Sequence, residues 1–297
     1  MMKLKRYSNR TEGNASKTKT MKPANKIILG ACLGAALALG GAVHYWSSLQ
    51  NGWQRMGARL ILKPTYPGSQ VALALKKMCA SDYHMTVEAR RKDNTLQTFF
   101  WRVGLLKSNQ AEMRNDAAEA LERVLLCATR IALSTDAPLQ FIEVKMADVL
   151  TGATVTLWRY VPDIRDSMYT RMAEDEYINR LVIEVDTEAQ RNIQGRNPQW
   201  DAPITMAEFL AKQVVLRAKR QSPVGLQAHE DLSQPSTLVV VIDNWPAIQQ
   251  QGMQQQSKVT DLLEKSSKDV LHGYGFEGFR GVVLEDGRGS AVGSWKL

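Results

Sequence analysis

The sequence predicts an α+β chain held in a membrane by one N-terminal helix, and three observations predict it. Residues 27–46 read IILGACLGAALALGGAVHYW, without a single charged side chain. The tail before them carries eight cations against one anion. Beyond residue 70, β-branched segments at hairpin spacing alternate with amphipathic helical patterns. The expected architecture is a single N-terminal transmembrane helix, a short helical stalk, then an extracytoplasmic domain of antiparallel hairpins packed with amphipathic helices.

The apolar run is long enough to span a bilayer, since about 20 residues at 1.5 Å rise cover roughly 30 Å of hydrocarbon. Charge sets its direction. Lys3, Lys5, Arg6, Arg10, Lys17, Lys19, Lys22 and Lys26 against Glu12 give the tail a net +7 of the chain's +8. Basic residues accumulate on the cytoplasmic flank of a span. The segmentation is therefore a cytoplasmic tail (1–26), a signal-anchor (27–46), a stalk and linker (47–69) and an extracytoplasmic domain (70–297), with a subdivision allowed near 187–204. This places the chain in a bacterial inner membrane, single-pass, with its C-terminal domain periplasmic. His44, Tyr45, Trp46 and Trp53 supply an interfacial anchor.

Retention of the span is favoured over cleavage because the apolar run exceeds a signal-peptide core of 7–15 residues. For the same reason Leu29-Gly30-Ala31-Cys32 is a poor lipoprotein site, with only five residues separating Cys32 from Lys26. Gly30, Gly34, Ala38 and Ala42 recur every fourth residue, the small-residue spacing that lets two membrane helices approach closely. Composition alone also produces such stripes. The sequence pI of about 9.4 invites a nucleic-acid reading. The basic excess, however, belongs to the tail, and the remainder lacks the positive footprint that phosphate binding needs.

Within the exported part, 47–62 continues as a helix and 63–69, with two prolines and a glycine, ends it. Segments 82–91 and 95–106 form a hairpin across Asp93-Asn94. Residues 109–133 form a helix opened by Asn109 and Glu112, with Met113, Ala117, Ala120, Leu121, Val124, Ala128 and Ile131 on one face. A second hairpin joins 139–149 to 154–161, a helix covers 163–180, and a short strand covers 181–185. After a polar loop, Thr205 and Glu208 cap a helix whose Met206, Leu210, Val214 and Ala218 share a face. A strand at 238–243, a glutamine-rich connector at 249–256, a helix at 257–272 ended by Gly273, and a hairpin of 281–285 with 291–295 complete the chain. No internal repeat is legible.

Several local patterns imitate catalytic motifs. Gly273-x-Gly275-x-x-Gly278 matches a dinucleotide fingerprint literally, but it follows a helix and precedes a strand, the inverse of the phosphate-binding context. A helix cap and turn is the simpler reading. The apolar run 239–242 ending in Asp243 lacks the phosphate loop that would make it a nucleotide site. His44, His84, His229 and His272 show no metal-ligand spacing. Ser290 has no nucleophile elbow, and His229-Glu230-Asp231 reads as a solvated turn. No catalytic residue, cofactor, metal or nucleotide is expected.

Of the three cysteines, Cys32 lies in the span, while Cys79 and Cys127 would both be exported. Two exported thiols often pair. Two unpaired core cysteines fit their apolar neighbours equally well. The expected role is a single-span binding or scaffolding protein of the cell envelope, a layout shared by components of secretion and conjugation machines. Its partners would be the membrane, other envelope proteins or a second copy, and neither nucleic acid nor nucleotide. An envelope hydrolase acting on cell-wall or peptide substrates, with a site assembled only in three dimensions, is the alternative, as is a small-ligand receptor.

Overall fold

The computed structural model describes residues 66–107, 113–187, 200–221 and 224–297. The predicted span, its stripe of Gly30, Gly34, Ala38 and Ala42, most of the stalk, and Asn109 and Glu112 lie outside the described residues. Among the described residues no helix is long and apolar enough to cross a membrane.

The fold is α+β and contains two sheets. Helix α1 (Val71–Tyr83) follows the proline-rich linker, a helix that the sequence reading omitted. It buries Val71, Leu75 and Cys79, spaced four apart, and ends at His84 in the left-handed conformation (φ 54°). Strands β1 (Glu88–Lys92) and β2 (Thr95–Arg102) form the first hairpin. Helix α2 (Asn115–Leu133) lays Ala117, Leu121, Val124, Ala128 and Ile131 into the core, and its alanines allow close approach to the sheet. It leads to β3 (Phe141–Asp148) and β4 (Thr154–Tyr160). The single helix expected over 163–180 is instead two, α3 (Val161–Met168) and α4 (Glu174–Asn179). Thr170 breaks it at φ 56°, a conformation a β-branched residue cannot hold in a helix. Strand β5 (Val182–Asp186) closes a five-stranded sheet, ordered β1-β2-β3-β4-β5.

The second unit begins with α5 (Met206–Gln221), where the Thr205 hydroxyl accepts the Glu208 amide at 3.1 Å, as the capping pattern predicts. Strands β6 (Leu226–Glu230) and β7 (Thr237–Ile242) follow. The glutamine-rich stretch is not a connector. It is absorbed by α6 (Trp245–Gln250) and the start of α7 (Met253–Tyr274), which are separated by Gly252 at φ 97°. The end of α7 is capped by Gly275 rather than Gly273, at φ 60°. Strands β8 (Gly281–Asp286) and β9 (Ala291–Lys296) complete a four-stranded sheet, β6-β7-β8-β9.

The two units share one topology, helix–hairpin–helix–hairpin, that the sequence did not reveal. In each, two antiparallel hairpins meet along a central parallel pair. The registers also match. Thr95 faces Phe141 and Phe141 faces Tyr160 in the first unit; Thr237 faces Gly281 and Gly281 faces Lys296 in the second.

The inner face of the first sheet (Leu96, Phe100, Ile142, Val144, Met146, Val155, Leu157) packs on α1 and α2. Its opposite face contributes Phe141, Trp158 and Val182 to a second core, shared with α5, α6, α7 and the second sheet. Helix α5 thus lies between the two sheets. Every residue of β3 is buried for this reason, because both its faces are covered and the usual alternation disappears.

Candidate functional site

Three constellations emerge from this packing. The first ties the units together. Asp163, near the start of α3, is buried, and its carboxylate accepts Arg180 Nη1 at 2.8 Å and the Tyr274 hydroxyl at 2.9 Å. The Arg180 guanidinium also lies 4.4 Å from the centre of the Tyr274 ring. Burial pushes the Asp163 carboxyl above its ordinary value, against the pull of Arg180 and Tyr274. Burial likewise pushes the Tyr274 phenol up, and the neighbouring Asp163 charge adds to this. Around this triad, the Phe209 ring of α5 lies tilted 5.3 Å from Phe141 and edge-to-face 5.9 Å from Tyr274.

The second is a polar row crossing the first sheet. Glu143 accepts Gln97 Nε2 at 3.0 Å and Trp158 Nε1 at 3.2 Å while only 1% exposed. Desolvation raises its carboxyl despite those two donors. The segment beginning at Trp200 straps this row. The Arg90 guanidinium sits 4.7 Å from the Trp200 ring centre, the Asp201 carbonyl accepts Arg90 Nη2 at 2.9 Å, and the Asp201 carboxylate pairs with Lys145 at 2.6 Å. Sequence reasoning missed this row. Alternating polar residues on a strand ordinarily read as solvent-facing, and nothing in β3 announces that its second face is covered.

The third is a surface. Residues of the second sheet that match the covered face of the first point away from α5 and α7. They are Gln227 and His229 on β6, Val239 and Val241 on β7, Val283 and Glu285 on β8, and Ser294 and Lys296 on β9, in rows such as His229–Val239–Val283–Ser294. Gln227, His229, Ser294 and Lys296 are exposed, Val241 and Val283 half-buried, and Val239 buried. None of the three valines belongs to either core. The sheet therefore presents an apolar centre within a polar frame. Strand β9 forms one of its edges, whereas the equivalent strand of the first sheet, β4, is paired on that side by β5.

The other residues singled out in the sequence scatter. His84 follows α1, His229 lies on β6 rather than in a turn, and His272 is in the last turn of α7. Asp243 is exposed just past β7, and Ser290 lies in the β8–β9 turn. The glycines of the G-x-G-x-x-G match end α7 and turn toward β8. Among the described residues no three His, Cys, Asp or Glu side chains are grouped to hold a metal ion. Cys79 and Cys127 are brought together. They belong to the core that α1 and α2 share, fully buried and unbridged. The interaction between the two thiols lowers the Cys79 thiol and, with burial, raises that of Cys127. No family model, curated protein or solved structure matches the chain.

Proposed function

We propose that the chain is a single-span, non-enzymatic scaffolding protein of the bacterial cell envelope, anchored by 27–46, and that the outward face of β6–β9 receives its partner. One observation carries the reading. Two units of one topology differ in what covers the matching face, which in the first unit is covered by α5 toward β4 and β5 and by the Trp200 segment over its centre, and in the second is turned outward. In the first unit that face takes a helix that inserts an aromatic side chain, Phe209, and extends Lys212 over Trp158 at 4.9 Å. The occupant of the second is accordingly an amphipathic helix of an envelope protein, apolar along its centre, with charges set to meet Glu285, His229 and Lys296. The basic tail and uncharged run support the placement, and a secretion or conjugation assembly is the setting this layout suits.

The test is site-specific photocrosslinking in intact membranes from positions 241 and 283, with position 119 on α2 as control. Defined adducts with one envelope protein from both sheet positions are expected, those from position 241 abolished by Val283→Lys in the full chain. Adducts equally strong from position 119, or none from the sheet, would overturn the surface. Cysteine-accessibility mapping from both sides of the membrane tests the placement separately.

A further inference from the structure

We infer that Cys79 and Cys127 form a disulfide that staples α1 to α2 when the chain folds in an oxidising compartment. The two helices pack together, and both cysteines lie in the core they share. One turn further along each, Asp82 pairs with Arg130 at 2.9 Å, and Tyr83 lies beneath Arg123, one turn before Cys127 on α2, at 5.7 Å from its ring centre. These contacts on adjacent turns hold the two sulfurs facing one another. Both cysteines are 0% exposed within the core built by Val71, Leu75, Leu121, Val124 and Ala128. Both thiols thus lie in one packed core where the two helices meet, with flanking side-chain contacts on either side of the pair.

The oxidant is a disulfide, carried by a thiol-oxidising protein or by oxidised glutathione. One cysteine thiolate attacks a sulfur of that disulfide, its S–S bond breaks, and a mixed disulfide forms with release of one thiol. The second cysteine thiolate then attacks the protein sulfur of the mixed disulfide and expels the other thiol. The protein loses two S–H hydrogens, and two electrons and two protons end on the oxidant's two thiols. Because both sulfurs are buried in the finished fold, exchange precedes the docking of α1 on α2. The bridge depends on the exported placement only for where the oxidant meets the chain.

Full-length protein carrying Cys32→Ala is unfolded in detergent and denaturant, then refolded in oxidised and reduced glutathione. Its thiols are counted by alkylation and mass spectrometry after denaturation without reductant. The expected result is two blocked thiols, both released by dithiothreitol, and an unfolding temperature that reductant lowers in this protein but not in a Cys79→Ser, Cys127→Ser variant. Two free thiols after refolding would overturn the bridge. A parallel count on protein taken from cells separates the two ideas: a bridge that forms on refolding but is absent from cells upholds the disulfide and counts against export.

Discussion

The Tyr274 hydroxyl donates a 2.9 Å hydrogen bond to Asp163 Oδ2 across 111 residues of sequence. One side chain ends the last helix of the second unit, and the other opens α3 in the first, so this bond measures whether the units are joined. Asp163 is about 2% exposed and keeps Arg180 as its other partner. Tyr274→Phe preserves the ring that packs on Phe209 and removes only the hydroxyl. A hydrogen bond to a charged group of this kind contributes about 1.5–3 kcal/mol. Urea unfolding of Tyr274→Phe is expected to show a loss in that range, with the slope unchanged. Arg180→Met should destabilise more, by about 3–5 kcal/mol, because it strands a buried carboxylate without its counter-charge.

Glu143 should make stability depend on pH in a recognisable direction. Burial holds its carboxyl above the ordinary glutamate value, outweighing the Gln97 and Trp158 hydrogen bonds, with Arg90, Lys145 and Asp201 the charged groups nearby in the same row. A folded state with a raised carboxyl retains its proton longer than the unfolded chain does. The contribution is therefore complete below the unfolded value of about 4.3 and fades as pH rises through the folded one. Glu143→Gln removes the titration while its amide oxygen still accepts a hydrogen bond. The expected outcome is that the variant gains stability relative to wild type as pH is raised from 4.5 to 8. Parallel pH profiles for the two proteins would contradict it.

Asp148 titrates in the opposite sense. Desolvation acts to raise its carboxyl, but the amides of Leu105, Leu150 and Gly104 and the Thr151 hydroxyl outweigh it and hold the group low. Leu105 donates at 2.9 Å and Leu150 at 2.8 Å, so one carboxylate fastens the chain after β2 to the β3–β4 turn. A lowered carboxyl stabilises the fold above the unfolded value of about 3.9, and that stabilisation is lost as pH falls through the folded value. Asp148→Asn keeps the shape and loses the charge. It should destabilise by about 1–3 kcal/mol at neutral pH and converge on wild type in acid, as read by thermal unfolding from pH 7 to 3.

These residues show what was legible in the sequence and what was not. Helix α5 was readable because Thr205, Glu208 and the Leu210–Val214–Ala218 spacing are local signals, and three of the four hairpins because their turn residues are local too, whereas β6 was read as a polar turn at His229-Glu230-Asp231. Helix α1 is hard to read because its core stripe, Val71, Leu75 and Cys79, is blurred by apolar residues off that stripe, Leu73 being exposed. The repeat was hidden because a shared register constrains alternation rather than identity, so Phe141 and Gly281 occupy one position in two units. Glu143, Asp163 and Trp200 acquire meaning only when elements far apart in sequence close over them. The pairing of Cys79 with Cys127 was conceivable from composition, but only the packing of α1 on α2 brings the two thiols into one core.

Phe209 provides the sharpest test of whether the two units unfold as one. It extends from α5, with its ring 5.3 Å from Phe141 and 6.1 Å from Tyr160, both on the first sheet. It is also fully buried in a core whose other members include Leu238, Val240 and Leu284 of the second sheet. Truncating a buried phenylalanine to alanine removes about 3–5 kcal/mol through lost burial and the cavity left behind. Here the loss falls where α5 meets the first sheet, since α1 and α2 still cover the other face of that sheet. Wild type should unfold in urea in one transition, because the second core cannot be dismantled without exposing both sheets. Phe209→Ala should split that transition in two, with circular dichroism and tryptophan fluorescence reporting different midpoints. If the variant loses stability but keeps a single coincident transition, the junction rests mainly on Asp163, Arg180 and Tyr274, and Tyr274→Phe should then carry the larger share of the coupling.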